Sequence, residues 1–246
     1  MYETGRATTI DGQSIGLHSV VAPEFANALY ALVKRERPEL VLEIGLAHGA
    51  TALSIATALQ ENGFGRLVSI DPFQQDRWRG VAVAALERSG LNHLHTLVEQ
   101  PDYLALPRLL EEWGRAVDLA YIDGRHSYEY ALLDFFYVDR LLKLGGIVGF
   151  NDCDWPAVIP TLHFARQHRH YEPVDDGLAP VYGTRNDTVR TYIRAEARIL
   201  PFWARPSRFR AVGRLLGRRR EDRYFRKTDT WEPPEGWMPR GWSIRA

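Results

Sequence analysis

The sequence predicts an α/β fold: a doubly wound, mostly parallel seven-stranded sheet with a terminal antiparallel hairpin, plus a basic, Trp/Arg-rich C-terminal extension. Two observations support this prediction. Short apolar runs without polar alternation, typical of strands covered on both faces, alternate five times with longer segments of helical periodicity. Two further short runs are joined around Asn186 and Asp187, residue types that favour a hairpin turn.

The elements follow from apolar spacing and from the residues that end each segment. Pro23 opens a helix over residues 23–35, and Pro38 stops it. Residues 40–44 form the first buried strand, and residues 50–60 form a helix that ends at an Asn-Gly pair. The alternation continues with strands at 66–71, 93–99, 117–123, 147–151, 181–182 and 188–193, and with helices at 76–89, 103–113, 127–144 and 158–168.

The composition is that of an ordinary globular protein, with 45% apolar and 25% charged residues among 246. The formal net charge is zero, which gives no global reason to expect nucleic acid or an acidic membrane as partner. Cys153 is the single cysteine, so an internal disulfide is excluded and a reducing compartment is favoured. No apolar run is long enough to cross a membrane. We therefore expect a cytoplasmic protein without a membrane span.

The charge distribution predicts three parts: a lead-in at residues 1–22, a ligand-binding domain at 23–195 and an extension at 196–246. From residue 201 onward, twelve Lys/Arg stand against five Asp/Glu, which leaves a complementary negative charge on the first 200 residues. We expect this extension, which contains several tryptophans, to dock on the acidic part of the chain. A basic helix that contacts nucleic acid or anionic lipid, a cap on the substrate pocket and a contact to a second subunit in a homo-oligomer remain alternatives.

The candidate site lies at one edge of the predicted sheet, because ligands in doubly wound folds bind beyond the carboxyl ends of the strands. The notable polar residues follow those ends in five loops, at residues 45–49, 71, 100–102, 123–126 and 151–154. Five loops from distant parts of the sequence are therefore expected to meet.

The first of these loops predicts a nucleotide-type cofactor. Gly45 and Gly49 permit a tight turn close to a ligand, and the following helix begins with free N–H groups. Glu43, inside the buried strand, needs a partner, which a ligand with hydroxyl or ammonium groups would supply. Asp71 ends the second strand, where an acid accepts hydrogen bonds from ribose hydroxyls. Ala47 stands where a dinucleotide site has its second glycine, which disfavours an NAD-linked oxidoreductase.

The motif Glu43-x-Gly45-x-x-x-Gly49 resembles motif I of the class I S-adenosylmethionine-dependent methyltransferases, whose domain is Rossmann-like. The stretches at residues 119–128, 142–146 and 147–152 are similar to later motifs of that superfamily, in the branch of metal-dependent O-methyltransferases that includes the macrolide sugar and catechol types. The resemblance covers about residues 23–193 and leaves out the C-terminal extension.

This resemblance implies a set of cofactor-binding residues. Glu43, Gly45 and Gly49 would line the methionyl and ribose side, and Asp71 would hold the ribose hydroxyls. Gln100 and Asp102 would flank adenine, although branch members usually have Gly and a small or acidic residue where this chain has Gln100-Pro101. Asp123 would also border the cofactor.

Methyl transfer to a hydroxyl also needs a group that removes the proton. Asp123 and Asp152 end neighbouring predicted strands, and with the amide oxygen of Asn151 they form a hard oxygen site suited to Mg²⁺. In the similar sugar O-methyltransferases an Asp-x-x-His pair supplies a metal ligand and a general base, which assigns these roles to Asp123 and His126. Branch members often have an acid where this chain has Asn151, so metal binding would be weaker or would shift to Asp154.

The sequence thus predicts a methyltransferase that acts on a hydroxyl of a small molecule, a sugar or natural product. The alternative is a nucleic-acid methyltransferase or nucleic-acid-binding protein that uses the basic extension. The Asp/Asn-Pro-Pro-Tyr type motif of base-amino methyltransferases is absent after the fourth strand, so nucleic acid is not the expected acceptor.

Overall fold

A seven-stranded sheet forms the centre of the protein in a computed structural model that describes residues 3–18, 20–177 and 223–238. The strands in chain order are β1 (Arg6–Thr8), β2 (Ser14–Gly16), β3 (Leu40–Ile44), β4 (Arg66–Ile70), β5 (His95–Val98), β6 (Val117–Ile122), β7 (Leu142–Phe150), β8 (Tyr171–Pro173) and β9 (Arg223–Lys227). The helices are α1 (Pro23–Glu36), α2 (Ala50–Asn62), α3 (Val81–Arg88), α4 (Asp102–Trp113), α5 (Tyr128–Leu141) and α6 (Ile159–His168).

The sheet has the order β5-β4-β3-β6-β7-β9-β8. Strands β3 to β7 pair in parallel, and β9 pairs antiparallel with both β7 and β8. Because the strand order reverses between β3 and β6, the carboxyl ends of these two strands flank the topological switch point at which such sheets bind ligands. The predicted fold class is confirmed.

Two apolar cores cover the two faces of the sheet, because neighbouring residues of a strand point to opposite faces. Leu42 and Ile44 of β3 belong to one core, which α4, α5 and α6 complete. Val41 of the same strand belongs to the other core, which α1, α2 and α3 complete. The strands therefore read as continuous apolar runs in the sequence.

The structure corrects two of the predicted boundaries. The third helix begins at Val81 rather than at residue 76, because residues 72–80 form turns and both Arg79 and Gly80 have positive φ. Strand β7 begins at Leu142, within the predicted helix, and includes the Gly-Gly pair expected to separate helix from strand. A register irregularity between β6 and β7 accommodates this early start.

The antiparallel part of the sheet is built from other residues than predicted. The expected hairpin at 181–193 lies outside the described residues. Its place beside β7 is taken by β9, at residues 223–227 of the predicted C-terminal extension. The prediction of an extension outside the sheet domain is therefore wrong for β9. Within this strand, Arg226 forms an ion pair with Glu36 of α1.

Buried charges hold β9 against the helices. The ammonium group of Lys227 donates to Asp139 Oδ1 at 2.6 Å, and Arg169 Nε donates to Asp139 Oδ2 at 2.9 Å. Tyr171 donates its hydroxyl to the same carboxylate. Burial raises the pKa of Asp139, but the two cations outweigh it and hold that pKa below its usual range. Two buried cations and a tyrosine hydroxyl thus pair with one carboxylate of α5 where β8 and β9 meet it.

The predicted lead-in contains a small hairpin of its own. Strands β1 and β2 pair antiparallel, and the turn between them is fastened to the segment before α3. Ile10 donates its N–H to the carbonyl of Arg79, whose guanidinium pairs with Asp11. Among the described residues, no helix combines the length and apolarity that a membrane crossing requires.

Candidate functional site

The glycine loop, residues 45–49, packs directly on the end of β6. Gly45 has a φ of 91°, and a Cβ atom there would lie 2.1 Å from the backbone oxygen of Asp123. Gly49 has a φ of 81°, and its Cβ would lie 2.7 Å from the Cβ of Ala82. Both positions therefore require glycine for backbone conformation and for space. The contact between Gly45 and Asp123 joins the predicted cofactor loop to the predicted catalytic loop.

Asp71 holds the glycine loop in place. Its Oδ2 accepts hydrogen bonds from the backbone N–H groups of Leu46 and Ala47, at 3.1 and 2.8 Å. Its Oδ1 accepts one from the N–H of Phe73 at 2.8 Å. Gln74, which the sequence did not single out, donates its amide to both the Ala47 carbonyl and Asp71. The acid predicted to bind ribose thus holds the glycine loop. The same hydrogen bonds fix the position of the Asp71 side chain.

Glu43 has its partners within the protein. Its side chain is fully buried and accepts hydrogen bonds from the hydroxyls of Thr51 and Ser69, at 2.5 and 2.6 Å. The sequence left a ligand as the expected partner, and these two hydroxyls fill that role instead. Burial raises the pKa of Glu43 to about 7, although the two hydroxyls favour the ionised form.

The predicted adenine side contains one buried and one exposed residue. Asp102 begins α4, is 8% exposed and accepts the N–H of Tyr103 at 2.7 Å. Gln100 is exposed and donates its backbone N–H to the carbonyl of Val98. Burial raises the pKa of Asp102. Beside it stands Asp134 of α5, a buried acid that the sequence interpretation missed because it reads as one more residue of a helix.

The imidazole of His126 stands between two carboxylates. Its Nε2 lies 3.5 Å from Asp123 Oδ1, and its Nδ1 lies 3.4 Å from Asp152 Oδ2. The structure therefore brings together the ends of β6 and β7, as predicted from the strand order. Burial lowers the pKa of His126, so the ring is neutral at neutral pH and can accept a proton.

Trp155 forms one wall beside this histidine. The ring centroids of His126 and Trp155 are 5.4 Å apart, and Trp155 is 37% exposed. The sequence interpretation did not select this tryptophan as a site residue, although it closes the acidic loop that follows β7. An exposed aromatic face next to the candidate base is suited to contact a ring of an acceptor molecule.

The predicted metal ligands have the right chemistry for Mg²⁺. Asp123 and Asp152 offer carboxylate oxygens with side chains about one fifth exposed, and Asn151 is buried with its amide donating to the hydroxyl of Tyr121 at 3.3 Å. The imidazole lies between the two carboxylates. Within residues 3–18, 20–177 and 223–238, no three His, Cys, Asp or Glu side chains converge into a metal-binding group. The oxygen donors suit Mg²⁺ by their chemistry, but in this arrangement the His126 ring separates the two carboxylates.

Comparisons with known proteins show which domain the chain resembles. Residues 42–153 match a family model described as a methyltransferase domain. Tapetum-specific methyltransferase 1 of Arabidopsis thaliana is 28% identical over 128 residues, which cover 52% of this chain and 52% of that protein. A caffeoyl-CoA O-methyltransferase of Zinnia elegans is 25% identical over 183 residues, 70% of this chain and 69% of that protein. The chain thus spans about half the length of the Arabidopsis relative.

Solved structures show the same fold. The O-methyltransferase TomG from Streptomyces achromogenes, in complex with S-adenosylmethionine, has a TM-score of 0.55 at 20% identity, over 63% of this chain and 73% of that one. An O-methyltransferase from Bacillus cereus, in complex with S-adenosylhomocysteine, has a TM-score of 0.56 at 16% identity, over 64% and 76%. The match to a methyltransferase domain over residues 42–153, together with the fold shared with these structures, makes the chain similar to the class I S-adenosylmethionine-dependent methyltransferases.

Proposed function

We propose that the protein transfers the methyl group of S-adenosylmethionine to a hydroxyl of a small molecule, a sugar or natural product. The observation that carries this proposal is the position of His126. A neutral, largely buried imidazole with a carboxylate on each side lies on the loop whose first residue, Asp123, touches the glycine loop. This position next to the predicted cofactor site supports a role for His126 as the base. A cytoplasmic location and a small-molecule acceptor, rather than nucleic acid, are part of the proposal.

The reaction is a direct displacement at the methyl carbon. A bond forms between the acceptor oxygen and that carbon while the carbon–sulfur bond breaks, and its electrons neutralise the sulfonium. His126 takes the hydroxyl proton, because an un-ionised hydroxyl is a poor nucleophile. The neighbouring carboxylates of Asp123 and Asp152 stabilise the imidazolium that results. The glycine loop on one side and the loops after β6 and β7 on the other would hold the cofactor and the acceptor in line for this displacement.

Mg²⁺ is the second part of the proposal. Asp123 and Asp152 would hold it, with Asn151 beside them, and the bound ion would supply positive charge that makes the acceptor hydroxyl more acidic. Chelation with EDTA is expected to lower the rate of a working transfer assay, and added Mg²⁺ is expected to restore it. A rate that EDTA leaves unchanged would assign the deprotonation to His126 without a metal.

The proposed activity is tested by screening glycosides and phenols with S-adenosylmethionine. The expected result is a mass increase of one methyl group on an acceptor, together with formation of S-adenosylhomocysteine. Binding is tested separately by two isothermal titrations, one with S-adenosylhomocysteine and one with NAD, the ligand of the alternative function. A chain that binds NAD but not S-adenosylhomocysteine would contradict the proposal.

A further inference from the structure

Asp134 presents a buried carboxyl group that nothing in the proposed reaction uses. It lies on α5 with no exposed surface, and neither of its oxygens has a hydrogen-bond donor among the residues that the structure describes. A Cβ atom added to Gly124 would lie 3.4 Å from Asp134 Oδ2 and 3.9 Å from Asp102 Oδ2. Both carboxyl groups therefore lie beside Gly124, and Asp102 is the charged group that acts on Asp134.

This pair borders the candidate cofactor site. Gly124 follows Asp123 directly, and a Cβ atom on Gly45 would lie 3.0 Å from the backbone nitrogen of Gly124. Gly124 therefore lies between the carboxyl pair and the glycine loop. Asp102, which begins α4 and retains a small exposed fraction, is the member of the pair that a ligand can reach.

Two adjacent buried carboxyl groups cannot both be ionised at low cost, so they share a proton. Burial, reinforced by the neighbouring Asp102, raises the pKa of Asp134 well above its usual range. At Asp102 the N–H of Tyr103 and the charge of Arg125 favour the ionised form. Arg125, on the loop after β6, is the charged group acting on the pair from outside it. The proton therefore resides on Asp134, and the negative charge resides on Asp102.

We propose that Asp134 is a protonated positioning residue: its carboxyl O–H donates to Asp102 and fixes the Asp102 carboxylate as a hydrogen-bond acceptor for an N–H or O–H group of the bound cofactor. This inference rests on the proposed function. It makes cofactor affinity depend on pH, with a definite sign. As the pH rises and the pair loses its shared proton, the second negative charge displaces Asp102, and affinity falls.

Three variants test the proposal by calorimetry with S-adenosylhomocysteine between pH 6 and 9. The wild-type affinity is expected to fall with rising pH, by at most about tenfold per pH unit for one linked proton. Asp134→Asn keeps a donor but removes the titrating group, so its affinity is expected to equal that of the wild type at pH 6 and to fall less steeply than that of the wild type as the pH rises. Asp134→Val, of similar shape but without a donor, is expected to bind at least about tenfold more weakly at pH 6. Glu129→Gln, on the exposed side of the same helix, serves as the control that keeps the wild-type slope.

A wild-type slope in Asp134→Asn, or wild-type affinity in Asp134→Val, would overturn the inference. The infrared spectrum provides a readout that needs no cofactor. The band of a protonated carboxyl group at neutral pH is expected to be weaker in Asp134→Asn than in the wild type, and an unchanged band would count against the shared proton. Failure of the proposed function looks different: the wild-type chain would bind no S-adenosylhomocysteine at any pH, while the infrared difference would persist.

Discussion

The acids at the site are held largely by the protein itself. Asp71 accepts backbone N–H groups of the glycine loop, and Glu43 accepts two buried hydroxyls. Such contacts keep a carboxylate in one orientation before a ligand arrives, which lowers the cost of ordering the site on binding. At the scale of single residues, the glycine loop is therefore already ordered before the expected cofactor binds beside it.

The raised pKa of Glu43 predicts a pH-dependent stability. The folded protein keeps a proton on this carboxyl between its ordinary pKa of 4.5 and about 7, whereas the unfolded chain loses it. The stabilisation is therefore complete below pH 4.5 and is lost as the pH rises through 7, by about 3 kcal/mol. We expect Glu43→Gln to flatten this part of the unfolding free energy measured by urea titration between pH 5 and 8. Any slope that remains is expected from the other buried groups with shifted pKa values, among them His95, His126 and Asp134.

Glu111→Gln on exposed surface of α4 is the matched control for that measurement. It changes the same functional group without removing a buried proton, so the wild-type slope should persist. If Glu43→Gln and Glu111→Gln have the same pH dependence, the proton on Glu43 is ruled out.

Removal of the proposed base should affect turnover more than binding. We expect His126→Ala to lower kcat by about 10²–10⁴-fold, because proton transfer is lost, and to change the affinity for S-adenosylhomocysteine less than about threefold. The exposed His93, in the turn before β5, provides the control His93→Ala with wild-type turnover. Steady-state rates and calorimetry on the same samples separate the two effects, and a His126→Ala enzyme with normal kcat would remove the residue from the mechanism.

At the scale of elements, the glycine loop depends on close contact with β6. We expect Gly45→Ala to destabilise the fold by about 1–3 kcal/mol, because it combines a strained positive φ with a clash against the Asp123 backbone. It should also weaken S-adenosylhomocysteine binding, since the clash moves the glycine loop. Thermal unfolding and calorimetry measure the two effects.

Gly63 is the natural comparison, since its φ of 79° is similar but no atom lies within 4 Å of its Cβ position. Gly63→Ala therefore reports the backbone strain alone, and the difference between the two variants isolates the contact with Asp123. Equal losses of stability, with unchanged cofactor affinity in both, would show that this contact is unimportant.

At the scale of the whole molecule, strand β9 from the C-terminal region joins the sheet, and its buried Lys227 pairs with Asp139 of α5. We expect Lys227→Met to destabilise the protein by about 3–5 kcal/mol, because it leaves Asp139 short of one buried cation. Arg226→Met, the neighbour in β9, removes a half-exposed ion pair with Glu36 and should cost about 0–1 kcal/mol. Urea unfolding compares the two variants, and equal losses would mean that burial of the pair does not matter.

Local patterns were sufficient for the parallel part of the fold. Apolar runs over β3, β4 and β6 reflect burial on both faces, and this property is visible residue by residue. From the positions of Asp123 and Asp152 at the ends of neighbouring parallel strands, we predicted that the two residues lie close together. In the structure both carboxylates lie beside His126. The metal, the ribose contact and the adenine contact stay predictions, because each depends on a bound group.

The sequence by itself determined the α/β class, the glycine loop and the pairing of the loops after β6 and β7, since these follow from periodicity and from the direction of parallel strands. Only the tertiary structure decided that β9 enters the sheet from residues 223–227, that Asp71 clamps the glycine loop and that Asp134 lies against Asp102. The physical reason is that these features depend on side chains and strands far apart in the chain. A local sequence pattern does not show which distant residue a buried charged group will contact.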